Sequence, residues 1–189
     1  MKVIKKKYNI MRTSFSYAHV LEYLPVRYSA TYSQKEDRSA VYRFKDGSCE
    51  DRIFDRFVNI IKQIVGYNKS EYVICFIPAS SQARTSARYS SLAGRLENVT
   101  GVKASLNAIK RTVDTVPGYK NGKTMDTVSG LSFDPYCFRG KKVILIDDVI
   151  TRGRTFCQTA NELLDNGASD VIGLFVAKTI NPDWNKACA

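Results

Sequence analysis

Residues 143–155, Val-Ile-Leu-Ile-Asp-Asp-Val-Ile-Thr-Arg-Gly-Arg-Thr, decide how this chain reads. Val143 to Ile146 form a short apolar run, the signature of a strand buried on both faces, and Asp147 and Asp148 stand where that strand is expected to end. The Thr151-Arg152-Gly153-Arg154-Thr155 segment is glycine-centred and hydroxyl-bearing. After it, Ala160, Leu163 and Leu164 follow at helical spacing up to Gly167. A strand, a tight loop and a helix start make an anion site, because unpaired amides and the helix dipole favour a phosphate. Gly153 is expected to let the main chain approach that phosphate closely, with Thr151 and Thr155 adding hydroxyl donors. Asp147 and Asp148 suit a sugar diol, or a Mg²⁺ ion bridging sugar and phosphate oxygens.

Working outward, a second unit of the same kind precedes the first. Tyr72 to Ile77 reads as a buried strand ending at Pro78, Ala79-Ser80-Ser81-Gln82-Ala83-Arg84 as a small polar loop, and Tyr89, Leu92, Ala93 and Leu96 as the buried stripe of a helix. Ile53 to Val65 predicts another helix, with Ser48 and Asp51 resembling a capping box and Gly66 as its stop. Val171 to Ala177 is a further buried strand. Ala108 to Pro135 is long and polar, punctuated by Pro117-Gly118, Asn121-Gly122 and Ser129-Gly130, as expected of a lid.

The 189 residues, 44% of them hydrophobic, fit one α/β domain with an appended element. Residues 1–45 read as a small, irregular N-terminal hood, rich in tyrosine and interrupted by Pro25 and the polar run Ser33 to Ser39; residues 46–189 read as the α/β domain. The formal charge is +11, and the whole excess lies upstream of the phosphate loop. Between Pro78 and Lys123 it suits a polyanion such as a sugar diphosphate or single-stranded nucleic acid, or else a solvated basic surface. No apolar run approaches the roughly 20 residues of a membrane helix, and no secretory core follows Lys5–Lys7, so a cytoplasmic location is expected. The five scattered cysteines and single histidine indicate neither a disulfide framework nor a zinc site. Cys75 and Cys157 are expected to be core thiols.

The thirteen residues resemble the phosphoribosyl pyrophosphate (PRPP) signature of type I phosphoribosyltransferases. The resemblance implies that family's fold, a mostly parallel central sheet flanked by helices with a hood. It also implies transfer of a phosphoribosyl group between pyrophosphate and a nitrogen nucleophile, with Mg²⁺ as cofactor and a nucleobase or nucleotide as partner. By resemblance, Asp147 and Asp148 contact the ribose as catalytic residues and provide direct or indirect metal contacts, while Thr151, Arg152, Gly153, Arg154 and Thr155 wrap the 5′-phosphate. Ala79, Ser80, Ser81 and Arg84 bind pyrophosphate, chiefly through main-chain amides. Arg111, taken as a further catalytic residue, Lys120 or Lys123 would ride a lid that excludes water, and past the last strand Lys178 or Trp184 would meet a base, or Trp184 would instead cap the core. No residue is assigned as general base.

Phe44-Lys45-Asp46-Gly47, Arg84 to Tyr89 with Leu92-Ala93, and Lys110 to Thr115 further resemble the competence-associated ComF-like branch. Ser90 and Gly118 depart from its pattern, and its four-cysteine zinc module is absent. That branch opens a different reading, a non-catalytic PRPP or nucleotide sensor, or a nucleic-acid-associated protein in DNA uptake. The family also suggests a homodimer. The acceptor is not specified by these motifs.

Overall fold

Alternating apolar strands and amphipathic helices leave one economical arrangement, a sheet covered on both faces. The computed structural model describes residues 14–112 and 128–182. In chain order its elements are β1 (Tyr17–Tyr23), α1 (Tyr32–Lys45), α2 (Asp51–Val65), β2 (Tyr72–Phe76), α3 (Gln82–Thr100), β3 (Ala104–Ser105), β4 (Ile109–Arg111), β5 (Leu131–Phe133), β6 (Lys142–Ile150), α4 (Arg154–Asp165) and β7 (Asp170–Thr179). Five strands form a wholly parallel sheet in the order β1-β7-β6-β2-β3, and β4 and β5 pair as a separate antiparallel ribbon. The α/β architecture with a mostly parallel sheet and flanking helices is the one expected.

Two cores lie against the sheet. On one face Ile144, Ile146 and Leu174 pack with Phe44, Phe57 and Tyr89 from α1, α2 and α3. On the other, Val143, Leu145 and Phe175 pack with Phe156 and Leu163 of α4. Strand alternation explains this division up to Ile146. It then breaks at the carboxylate pair: Val149 packs on the first face and Ile150 on the second, while β7 places Val176 and Ala177 together in the first core. The register of β6 and β7 is unchanged across the break, pairing Asp147 with Phe175 and Val149 with Ala177. β6 therefore continues through Asp147 and Asp148 to Ile150 instead of ending at them.

Residues 17–45 differ from the irregular hood expected. β1 is an edge strand of the central sheet, and α1 buries Ala40, Val41 and Phe44 in its core. The polar first half of α1 carries no apolar stripe, which concealed the helix. Its start is a true capping box, Thr31 with Gln34, each side chain meeting the other's backbone amide at 3.3 and 2.9 Å. The capping box expected at Ser48 and Asp51 does not form, because α2 is capped at Glu50 with no side-chain bond.

The floor beneath the β6–α4 loop is aromatic. Phe156 and Phe175 meet edge to face at 5.3 Å, with Phe15 and Tyr17 against them. Gly173 makes room: a Cβ there would lie 2.6 Å from the Phe175 ring and 2.8 Å from that of Phe156. Gly173→Ala is expected to cost about 1–3 kcal/mol of stability through overpacking. Gly94→Ala, in the α3 interior with open space around it, should instead gain up to about 1 kcal/mol. Urea unfolding of both variants measures the contrast, and equal shifts would contradict the packing described.

Candidate functional site

The carboxyl ends of β2, β6 and β7 converge, and the loops leaving β2 and β6 each lead into a helix. After β6 the chain reverses through Thr151-Arg152-Gly153 into α4. Gly153, the residue that caps α4, has φ +72°, a left-handed conformation that disfavours other residues. The nearest protein atom to a Cβ at this position would be 3.7 Å away, so within the chain the requirement for glycine is one of backbone conformation and not of crowding. No side chain caps α4. The loop, Asp147, Phe156 and Phe175 line a cavity of about 630 Å³. Arg152 and Arg154 are exposed at it. The Thr151 hydroxyl, expected to serve a phosphate, shares a 2.8 Å hydrogen bond with the Thr179 hydroxyl at the end of β7.

The loop after β2 is held by its own residues. Ser81 Oγ caps α3 by accepting from the Arg84 amide at 3.3 Å, and the Arg84 guanidinium donates to Ser80 Oγ at 3.1 Å. Buried Thr85 accepts from the Ala79 amide and donates to the Ser81 carbonyl, both at 2.9 Å. The Ala79 and Arg84 amides are thus already engaged, which narrows the expected main-chain anion site. Arg111, on the β4–β5 ribbon, donates from Nε to the Ala79 carbonyl at 2.7 Å. The structure therefore brings Ala79, Ser80, Ser81, Arg84 and Arg111 together. Lys120, Lys123 and Trp184 lie outside the described residues. Lys178 is near the exposed Tyr17 ring, 5.6 Å from its centre.

The two carboxylates are both gripped from α3, by residues sequence reasoning did not assign to the site. Arg88 Nη1 donates to Asp148 Oδ2 at 2.7 Å, with both side chains largely buried. Arg88 also donates to the Lys45 carbonyl at 3.3 Å. Tyr89, fully buried, donates to Asp147 Oδ1 at 3.3 Å, and the Asp148 amide donates to the same oxygen at 2.8 Å. The remaining Asp148 oxygen accepts from the Val149 amide at 2.6 Å. The available signal was the spacing: Arg88 and Tyr89 lie one helical turn after Arg84 and Thr85. By its place on the buried stripe, Tyr89 reads only as core. Burial, with Asp147 and Asp148 adding to it, pushes the Tyr89 hydroxyl well above the ordinary phenol range.

Burial, reinforced by the Asp148 carboxylate, pushes the Asp147 carboxyl up to about 8. Cys49, Cys75 and Cys157 are unsuited to nucleophilic work: burial raises Cys75 and Cys157 and takes Cys49 up to about 11. The basic stretch from Pro78 resolves into distinct tasks. Arg84 and Arg111 hold the β2 loop, Arg88 pairs with Asp148, and Arg95 pairs with Asp51 over the Phe54 ring. Among the described residues no group of three His, Cys, Asp or Glu side chains is placed to hold a metal, and no helix is long and apolar enough to cross a membrane.

No protein-family model matches the chain. Among curated proteins it is 33% identical over 87 residues to the bifunctional protein PyrR of Citrifermentans bemidjiense, covering 45% of this chain and 47% of that protein. It is 27% identical over 143 residues to the hypoxanthine-guanine-xanthine phosphoribosyltransferase of Plasmodium falciparum, covering 74% of this chain and 59% of that one. The chain spans about half the length of the curated relatives it matches. Among solved structures, the allosteric regulatory enzyme of purine biosynthesis aligns at 17% identity with a TM-score of 0.47, over 72% of this chain and 30% of the other.

An acid whose pKa rises on folding is protonated in the folded chain while already ionised in the unfolded one. Stability should therefore fall as pH climbs from the ordinary Asp value of about 4 toward 8 and level off above it. Asp147→Asn is expected to melt a few degrees above wild type at pH 8, with the gap closing toward pH 5. Scanning calorimetry across that range checks this, and a gap independent of pH would contradict it.

Proposed function

We propose that this chain, as a member of the type I phosphoribosyltransferase family, is an enzyme that transfers the phosphoribosyl group of PRPP to a nitrogen of a nucleobase, releasing pyrophosphate. The observation that carries this reading is the convergence of two strand-to-helix loops and a carboxylate pair at one end of the parallel sheet. The β6–α4 loop lies at the cavity that also contains Asp147, and the loop before α3 stands on the neighbouring strand with Arg84 and Arg111 upon it.

On this reading the sugar's 5′-phosphate sits at the α4 N-terminus, among the amides of residues 153–155 and the Arg152 and Arg154 guanidiniums. The ribose hydroxyls donate to Asp147, and the pyrophosphate lies against Ser80, Ser81 and Arg84. A bond forms between the base nitrogen and the anomeric carbon as the bond from that carbon to the pyrophosphate oxygen breaks, and the proton lost from the base nitrogen leaves with the pyrophosphate or to water. Positive charge builds on the sugar meanwhile, and Asp147 stabilises it in its ionised form, which its raised pKa favours only toward pH 8 and above. Arg111 links the β4–β5 ribbon to the pyrophosphate loop, where water exclusion protects PRPP from hydrolysis. Asp148 is ion-paired and Asp147 stands without a second free carboxylate beside it, so the residues fit Mg²⁺ only when the substrate's own oxygens complete its shell. Bound in that way, Mg²⁺ would neutralise the departing pyrophosphate.

An oxopurine is the acceptor class we favour, because the relative aligned over most of the chain is by name a hypoxanthine-guanine-xanthine phosphoribosyltransferase. Membership of the ComF-like branch stays a proposal resting on the Phe44–Gly47, Arg84–Ala93 and Lys110–Thr115 motifs.

Calorimetric titration of PRPP with Mg²⁺ tests the reading. Wild type should bind, and the Asp147→Asn, Asp148→Asn double variant should lose at least about tenfold in affinity, the equivalent of about 1.4 kcal/mol. Hypoxanthine, guanine or xanthine should then release pyrophosphate. A folded wild type that does not bind PRPP would overturn the assignment.

A further inference from the structure

α3 carries two pairs of residues at i,i+4 spacing, each bridging the site. Arg84 and Arg88 lie along one line of the helix, Thr85 and Tyr89 along the next. The first member of each pair holds the β2 loop: Arg84 through Ser80, Thr85 through Ala79 and Ser81. The second member takes one carboxylate of β6, Arg88 binding Asp148 and Tyr89 binding Asp147. Of the four carboxylate oxygens, three accept from the protein, and Asp147 Oδ2 has no protein donor among the described residues. Arg88 is itself braced, by the Lys45 carbonyl and by Gly47, at which any Cβ would strike the Ala87 carbonyl oxygen.

We infer that Arg88 and Tyr89 are positioning residues for ribose recognition, fixing Asp148 and Asp147 so that Asp147 presents its unoccupied oxygen to a ribose hydroxyl. The inference rests on the PRPP reading. Neither residue touches the sugar; each acts through the carboxylate it holds. A carboxylate released from such a partner samples other rotamers and must be reordered by the ligand. A purely architectural pair would instead weaken every ligand of the site together as the fold loosens.

The test is a double-variant cycle read by calorimetry with two probes, PRPP with Mg²⁺ and pyrophosphate with Mg²⁺, the melting temperature of each protein being recorded alongside. Arg88→Met and Tyr89→Phe should each weaken PRPP about tenfold, the cost of reordering a released carboxylate on the ligand, and leave pyrophosphate binding unchanged. In an Asp148→Asn background, Arg88→Met should have no further effect on PRPP, and the same should hold for Tyr89→Phe in Asp147→Asn. Arg88→Lys, which keeps a charged donor, should recover part of the loss. Parallel weakening of both probes, or additive losses in the cycle, would overturn the inference while leaving the PRPP reading intact. Failure of wild type to bind PRPP would overturn both.

Discussion

The ion pair between Arg88 and Asp148 is the constraint around which the functional end of this molecule is arranged. Two carboxylates carried on a central strand approach a protein interior where isolated charge is costly, and removal of one partner from such a pair typically costs about 3–5 kcal/mol. Arg88 supplies the countercharge, and it does so from a helix whose own first turn forms the neighbouring loop. The turn after α1 is drawn into the same arrangement, because Arg88 also needs the Lys45 carbonyl. The N-terminal elements are therefore part of the site's foundation, with β1 completing the sheet and α1 burying Phe44 beside Phe57 and Tyr89.

The two loops that lead into α3 and α4 solve the same geometric problem differently. Before α3, Ser81 and Thr85 satisfy the exposed amides from within, so the loop keeps its shape through side-chain hydrogen bonds. Before α4, a left-handed glycine takes the capping position and offers no side chain, leaving those amides to an external partner. The aromatic floor under that second loop compensates for the lack of local bonding, since Phe156 and Phe175 fix the start of α4 against β7.

Much of this was legible in the sequence where one chemical requirement dominated. The β6 run, the turn at Gly153 and the buried stripe on α3 follow from burial and periodicity, and they located both loops correctly. What escaped was α1, whose polar first half has no stripe and is held chiefly by its capping box and its last turns. Arg88 escaped for a related reason: a charged residue beside an apolar stripe reads as solvent-facing until the opposing carboxylate is seen. The extent of β6 was hidden because aspartate at a strand end normally marks exposure, whereas here α3 supplies the partners that let the strand continue. The contact between the Thr151 and Thr179 hydroxyls spans 28 residues of chain, and no local pattern encodes it.

A helix scarcely stretches, so the α3 residues that hold the β2 loop and those that hold the carboxylate pair stay four residues apart, roughly 6 Å along its axis. That makes α3 a gauge of molecular span. On the proposed function, a sugar phosphate would be judged by how far its second anionic group stands from its hydroxyls. On the proposed reading, a ligand whose diphosphate is set one bond nearer or farther would meet a rigid mismatch, since the stretch of helix that would have to yield is pinned at Arg84 and Thr85 and again at Arg88 and Tyr89.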